Sequence, residues 1–98
     1  MKYMVQMTVT PPKDMDPQEW QEILRREKEY GQEFMKNGKF QHIWRIVGEF
    51  ANVSIFDVES NDELHTILAG FPLFPYMDMN VTALALSLIH ISEPTRLL

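Results

Sequence analysis

A carboxylate lies in the middle of an apolar stripe in the helical segment that follows Asp16. At 100° per residue, the residues that share the face of this stripe are Trp20, Ile23, Leu24, Gly31 and Phe34. Glu27 falls among them, three residues after Leu24 and four before Gly31. Burial raises the pKa of a carboxyl group, and a base that titrates nearer neutrality suits proton transfer. Glu27 is therefore a candidate general base. A buried ion pair, or a tilt that carries Glu27 to the rim, is the structural alternative.

Two cations and two rings in the helix and the strand that follows it could contact an anionic substrate. Lys28 flanks the stripe, and Arg45 could hold a carboxylate through two parallel hydrogen bonds. A solvated lysine and an ion-paired arginine are the structural alternatives. His42 is a second titratable candidate for catalysis, and Trp44 a candidate for substrate contact, but both alternate with Arg45 along one strand. All three can line one pocket only if a bend, a strand end or a second subunit intervenes.

Three further polar residues follow these in the chain. Asn52 and Ser54 lie in a predicted strand, where ordinary edge polarity is the alternative. Tyr76 ends a loop that is clamped by Pro72 and Pro75. The aromatic residues of that loop could either pack on the core or form a wall of a small apolar pocket.

The elements that must position these residues follow a simple order. Period-two alternation and β-branched or aromatic content predict strands over 2–10, 39–47, 52–58 and 77–86. Asp16-Pro17 with Glu19, and Ser60 with Glu63, resemble capping boxes that begin helices ending near Lys36 and Leu68. The order βαββαβ predicts an α+β fold of the ferredoxin-like type.

The second strand predicts self-association. Alternation places Phe40, Trp44 and Ile46 on one of its faces, and Ile43 and Val47 on the other. A one-sided antiparallel sheet should alternate apolar with polar residues, so we expect another subunit to cover the face without helices. With 98 residues and no cysteine, the single small domain has no disulfide to stabilise it, which also favours an oligomer.

Composition excludes several classes of function. The net charge of −5 gives no electrostatic reason to bind nucleic acid. The three histidines have no metal-ligand spacing, and no apolar run is long enough to cross a membrane. No apolar signal-peptide block follows Met1, so a soluble cytoplasmic protein is expected.

Seven short stretches over residues 1 to about 86 carry a family resemblance. They are Met7–Val9, Asp14–Pro17, Glu27–Glu29, His42–Ile46, Ala51–Asn52, Ser54–Val58 and Pro72–Asp78. The run from Leu73 to Asp78, "LFPYMD", is the most specific part. Together these stretches resemble the muconolactone Δ-isomerase family.

The resemblance implies a cofactor-free and metal-free isomerase that moves the ring double bond of muconolactone in catechol breakdown. It also implies a ferredoxin-like protomer of the dimeric α+β barrel type, in a ring-like homodecamer. In that setting Glu27 is the expected base. Lys28 and Arg45 are expected to bind the acetate arm of the substrate. Candidate oxyanion donors are His42, Asn52, Ser54 and Tyr76.

The resemblance ends after Leu86. We therefore expect residues 87–98 to be a tail foreign to the family, with residues 88–98 packing poorly on the domain. Three alternatives share the fold: a chloromuconolactone dehalogenase, a haem-free monooxygenase of the dimeric α+β barrel type, and a non-catalytic ligand-binding or assembly domain. Halide release, oxygen uptake with a phenolic substrate, and turnover by the purified protein distinguish them.

Overall fold

Within residues 1–87, one antiparallel sheet of four strands carries two helices. The computed structural model describes residues 1–87, and the predicted tail over residues 88–98 lies outside the described residues. In chain order the elements are β1 (Lys2–Val9), α1 (Pro17–Lys36), β2 (Phe40–Arg45), β3 (Ala51–Asp57), α2 (Asn61–Ala69), a 3-10 turn (Phe74–Tyr76) and β4 (Met77–Leu84). The strand order β2-β3-β1-β4, with all neighbours antiparallel, confirms the predicted ferredoxin-like α+β fold.

Strand β1 is central in the sheet and anchors the core. Its odd-numbered residues from Tyr3 to Val9 are buried, and Val5 is completely inaccessible to solvent. The residues between them are exposed or half-buried. This alternation is the period-two pattern that predicts the strand, and it places the helices on the face of the odd-numbered residues.

Local sequence fixes both ends of α1. The Asp16 carboxylate accepts the backbone N–H groups of Gln18 and Glu19 at 3.1 and 3.2 Å, and Pro17 occupies the first turn. Gly38 follows the helix with φ of 84°, a left-handed conformation that favours glycine. Helix α1 therefore spans the predicted residues. Glu19 donates its backbone N–H to Asp16, but its carboxylate does not accept the N–H of Asp16 that would complete a capping box.

The capping box of α2 is displaced by one residue. Ser60 accepts the backbone N–H of Glu63 at 3.1 Å, as predicted. The Glu63 carboxylate accepts the N–H of Glu59 at 2.7 Å, and not that of Ser60. It also pairs with Lys39, at the start of the chain segment that leads into β2.

A bulge in β2 corrects the prediction for Phe40. The register with β3 shifts between Phe40 and His42, so Phe40 pairs with Phe56 and Ile43 pairs with Ser54. Phe40 therefore lies on the helix-facing side with Ile43, and not on the side of Trp44. Phe40 is buried and stacks on Phe56 with ring centroids 4.5 Å apart. The tertiary contact with the core overrides simple alternation here.

The face without helices remains partly apolar. His42 and Trp44 stack there with ring centroids 5.3 Å apart, and the Trp44 side chain is 57% exposed. Residues Ile46 and Val47, which were predicted to continue β2, lie beyond its end in the turn to β3. Within residues 1–87, no helix is long and apolar enough to cross a membrane.

Candidate functional site

A cavity of about 770 Å³ opens between α1, the β2–β3 hairpin and the loop that precedes β4. Its size is typical of a site for a small molecule. Its lining combines an apolar majority with a few charged and polar side chains. The lining residues are Val9, Leu24, Glu27, Lys28, Gly31, Gln32, Met35, Phe40, Ile43, Arg45, Glu49, Phe50, Ala51, Asn52, Phe71, Leu73 and Met77.

Glu27 lies in this cavity and has one fixed oxygen. The backbone N–H of Leu73 donates to Glu27 Oε1 at 3.0 Å, and the side chain is half-buried. Burial raises the pKa of Glu27 above its ordinary value, and the Leu73 N–H opposes this effect in part. No ion pair forms with Glu27 among residues 1–87, so the structural alternative of a buried ion pair is not what the structure shows.

The loop that holds Glu27 is built from two tight turns. Phe74 N–H donates to the carbonyl of Phe71, and Tyr76 N–H donates to the carbonyl of Leu73, both at 2.8 Å. The Leu73 side chain is buried beside Val9 and Ile23. These contacts hold the loop that presents the Leu73 N–H to the Glu27 carboxylate.

Two cations face the cavity without an ion-pair partner among residues 1–87. The side chains of Lys28 and Arg45 line it, and neither has an ion-pair or hydrogen-bond partner within residues 1–87. Arg25, by contrast, binds Glu22 and Glu29 on the outer side of α1. An unpaired arginine and an unpaired lysine at one cavity are suited to bind the carboxylate of a ligand.

Asn52 is held in a defined orientation. It pairs with Arg45 across the β2–β3 ladder and lines the cavity. The Ser54 hydroxyl donates to Asn52 Oδ1 at 2.9 Å, and Ser54 is completely buried. Since Oδ1 accepts from Ser54, the amide nitrogen of Asn52 is left as the group that can donate to a ligand oxygen.

The cavity brings together four of the eight candidate site residues. Glu27, Lys28, Arg45 and Asn52 line it, and Ser54 supports Asn52 from within the core. The other three candidates, His42, Trp44 and Tyr76, lie elsewhere in the protomer.

Within one protomer, His42 and Trp44 stack on the opposite face of the sheet, as strand alternation predicts. Tyr76 is half-buried and packs edge-to-face on Trp20 with ring centroids 5.7 Å apart. None of the three lines the cavity.

Sequence reasoning missed two polar residues of the lining. Gln32 is four residues after Lys28, so helical spacing could have placed it on the same face. Glu49 lies in the hairpin turn, where no periodic signal exists. Across the described part of the chain, no group of three or more His, Cys, Asp or Glu residues could hold a metal ion.

The chain is similar to muconolactone isomerases in sequence and in structure. The family model described as muconolactone delta-isomerase matches residues 1–87. The muconolactone Delta-isomerase of Cupriavidus pinatubonensis is 54% identical over 85 residues, which cover 87% of this chain and 92% of that protein. Muconolactone Delta-isomerase 1 of Acinetobacter lwoffii is 57% identical over 84 residues, covering 86% and 88%. A crystal structure of muconolactone isomerase superposes with a TM-score of 0.88 at 43% identity, covering 98% of this chain and 100% of that one.

Proposed function

The chain belongs to the muconolactone delta-isomerase family, and from this membership and the cavity we propose that it isomerises muconolactone to the enol-lactone of 3-oxoadipate. The reaction moves a ring double bond within the lactone. It needs a base that can return the proton it takes, donors for a developing oxyanion and a cation for the acetate arm. The cavity offers each of these groups.

The half-buried Glu27 carboxylate is the observation that carries the proposal. The Leu73 N–H occupies Oε1 at 3.0 Å, so Oε2 is left to take a proton. In the proposed first step, the C–H bond at the ring carbon bearing the acetate arm breaks, and an O–H bond forms on Glu27. The electron pair delocalises through the ring onto the carbonyl oxygen, giving a furan-like oxyanion. Glu27 then returns the proton to the carbon next to the carbonyl.

The remaining polar residues stabilise charge in this scheme. Asn52 donates its amide N–H to the oxyanion, and its orientation is fixed by the buried Ser54 hydroxyl. Arg45 and Lys28 bind the acetate arm, because both face the cavity without an internal partner. His42, Trp44 and Tyr76 could join a site only through a neighbouring subunit or a rearrangement, since none lines the cavity of this protomer.

Turnover by the purified protein tests the proposal. We expect the ultraviolet absorbance of muconolactone to change on addition of enzyme, with no metal added. Absence of turnover would contradict the proposed function. Halide release from a chlorinated lactone would instead indicate the related dehalogenase activity.

Glu27→Gln tests the role of the base. The amide keeps the shape and can still accept from Leu73, but it has no basicity. We expect kcat to fall by about a hundredfold to ten-thousandfold, the usual contribution of a positioned acid–base group. Glu29→Gln is a matched control on the exposed side of the same helix. Near-normal turnover in folded Glu27→Gln protein would remove Glu27 from this role.

We also propose that the protomer functions in a homo-oligomer, a decamer by resemblance to the family. The sheet face without helices supports this proposal. Besides the exposed Trp44, that face carries Met4, Val53 and Ile55, which are all half-buried in the protomer. A second subunit on this face would remove apolar surface from water.

A further inference from the structure

Gly31 occupies an unfavourable place for glycine. It is buried in the interior of α1, four residues after Glu27 and on the same face of the helix. Glycine is the least helix-stabilising residue after proline, because it loses the most backbone freedom and packs no side chain. Its backbone is not in the left-handed region, so conformation does not require it. Its presence therefore needs another physical reason.

Packing does not supply that reason. A Cβ atom at Gly31 would lie 3.6 Å from Phe40 Cε2 and 3.7 Å from Phe71 Cε1, which is ordinary van der Waals contact. Gly70 is the opposite case, because a Cβ atom there would lie 2.8 Å from Tyr30 Cζ. The Tyr30 side chain therefore excludes a Cβ atom at Gly70, whereas there is room for one at Gly31.

The room at Gly31 belongs to the cavity. Gly31 lines it together with Phe40 and Phe71, whose rings meet edge-to-face with centroids 6.2 Å apart. One helical turn away on the same face is Glu27. An added side chain would take space beside the base and between two apolar rings.

We propose that Gly31 determines specificity by leaving space for a small apolar substituent on the lactone ring. This inference rests on the proposed isomerase function. The charged and amide groups at Lys28, Arg45 and Asn52 suit the acetate arm and the oxyanion, whereas the surroundings of Gly31 are aromatic. The enzyme therefore accepts a ring methyl group at this place, and a larger residue at position 31 excludes it.

Muconolactones methylated at either ring alkene carbon test this proposal against the unsubstituted lactone. For Gly31→Ala, we expect kcat/KM for at least one methylated lactone to fall about tenfold or more relative to kcat/KM for the unsubstituted lactone, the usual effect of one methyl group in a tight pocket. Gly31→Val should extend the loss to the unsubstituted lactone. The thermal midpoint of Gly31→Ala should equal or exceed that of the parent protein.

Glu33→Ala is the matched control, since Glu33 is exposed on the same helix. This variant should leave the ratio of kcat/KM for the methylated lactone to kcat/KM for the unsubstituted lactone unchanged. An unchanged ratio in Gly31→Ala would overturn the proposal, as would failure of the parent protein to accept either methylated lactone. A lowered thermal midpoint in Gly31→Ala would overturn the packing argument and the proposal with it. Turnover of the unsubstituted lactone by the parent protein tests the isomerase function separately.

Discussion

Two opposing influences act on the pKa of Glu27, and both follow from its place in the cavity beside the Leu73 backbone. Burial disfavours the charged carboxylate and raises the pKa, whereas the Leu73 N–H stabilises the charge and lowers it. Burial is the larger influence, so the pKa of Glu27 lies above its ordinary value. A more basic carboxylate takes a carbon-bound proton more readily, provided that it is ionised at the working pH.

The pH dependence of the rate follows from this raised pKa. Glu27 must be ionised to act as a base, so kcat/KM should rise as pH rises through its pKa. We expect this acid limb to lie above the value of about 4.3 that is usual for glutamate. A pH profile of kcat/KM for the free enzyme measures it. The limb should be absent from the residual activity of Glu27→Gln, and a limb at or below the ordinary glutamate value would contradict the assignment.

Ser54 should affect catalysis although it cannot touch the substrate. Its buried hydroxyl fixes Asn52 Oδ1 at 2.9 Å. In Ser54→Ala we expect kcat to fall about tenfold with little change in KM, because Asn52 can rotate away from the oxyanion. The free energy of unfolding should fall by about 1 kcal/mol, the usual contribution of one hydrogen bond.

A double-mutant cycle distinguishes this positioning role from a general loss of stability. If Ser54 acts through Asn52, adding Ser54→Ala to Asn52→Ala should cost little further activity. If the fold-losses in kcat of the two single variants multiply fully in the double variant, Ser54 has no role in orienting Asn52. The comparison is made at a temperature at which all four proteins are folded.

The sequence predicts which side chains share a face of a helix or strand better than which side-chain atoms come into contact. The apolar stripe on α1 placed Glu27 toward the sheet, and strand alternation separated Arg45 from His42 and Trp44. The bond between Ser54 and Asn52 could not be predicted. Residues two apart share a strand face, but which side-chain atoms meet depends on rotamers and on the packing around them.

At the scale of elements, helix boundaries follow from local sequence and the β2 register does not. The caps at Asp16 and Ser60 act on neighbouring backbone groups, so the sequence alone predicts where each helix begins. The bulge before His42 depends on Phe40 stacking against Phe56 and lying near Phe71. That stacking joins segments far apart in the chain, and local alternation contains no signal of it.

The contact between the two helices gives a stability prediction at Gly70, which follows the last residue of α2. Tyr30 from α1 fills the space that a side chain at Gly70 would need. Its hydroxyl donates to the Ile67 carbonyl at 2.7 Å. Its ring packs edge-to-face on Phe34 and Phe71. Tyr30 cannot move without losing these contacts. Gly70→Ala should therefore lower the free energy of unfolding by about 1–3 kcal/mol, as overpacking usually does.

Denaturant unfolding measures this loss, and Tyr30→Phe provides the control. Tyr30→Phe removes the oxygen that an added Cβ atom at Gly70 would meet. Alone it should cost about 1 kcal/mol, because the Ile67 carbonyl loses its donor. In the Tyr30→Phe background, Gly70→Ala should cost clearly less than in the parent protein. If Gly70→Ala lowers the free energy of unfolding equally in both backgrounds, the Tyr30 hydroxyl is not what opposes the added Cβ atom.

At the scale of the whole molecule, strand order was predictable and surface burial was not. The order βαββαβ allows few arrangements, and the ferredoxin-like one satisfies the usual connection rules. The predicted apolar pattern groups Phe40 with Trp44 on one face of β2, but the bulge places Phe40 in the core. The remaining support comes from Trp44, Met4, Val53 and Ile55.

The exposed Trp44 is the residue through which the proposed assembly is best tested. It is 57% exposed and stacked on His42, so a subunit that covers this face would bury a large ring. We expect light scattering at micromolar concentration to show an oligomer for the parent protein. Trp44→Glu should give a smaller species, because a charge buried in an apolar contact is costly.

Val47→Glu is the matched control for this experiment. Val47 is 96% exposed in the β2–β3 turn, beyond the strands that form the face without helices. The same charge placed there should leave the oligomer intact if the sheet face is the contact.

A chain that ends at Ser87 reports separately whether residues 88–98 alter assembly. A monomeric parent protein with full activity would contradict the proposed oligomer. Loss of assembly in Val47→Glu but not in Trp44→Glu would indicate that the subunit contact lies at the β2–β3 hairpin and not on the sheet face.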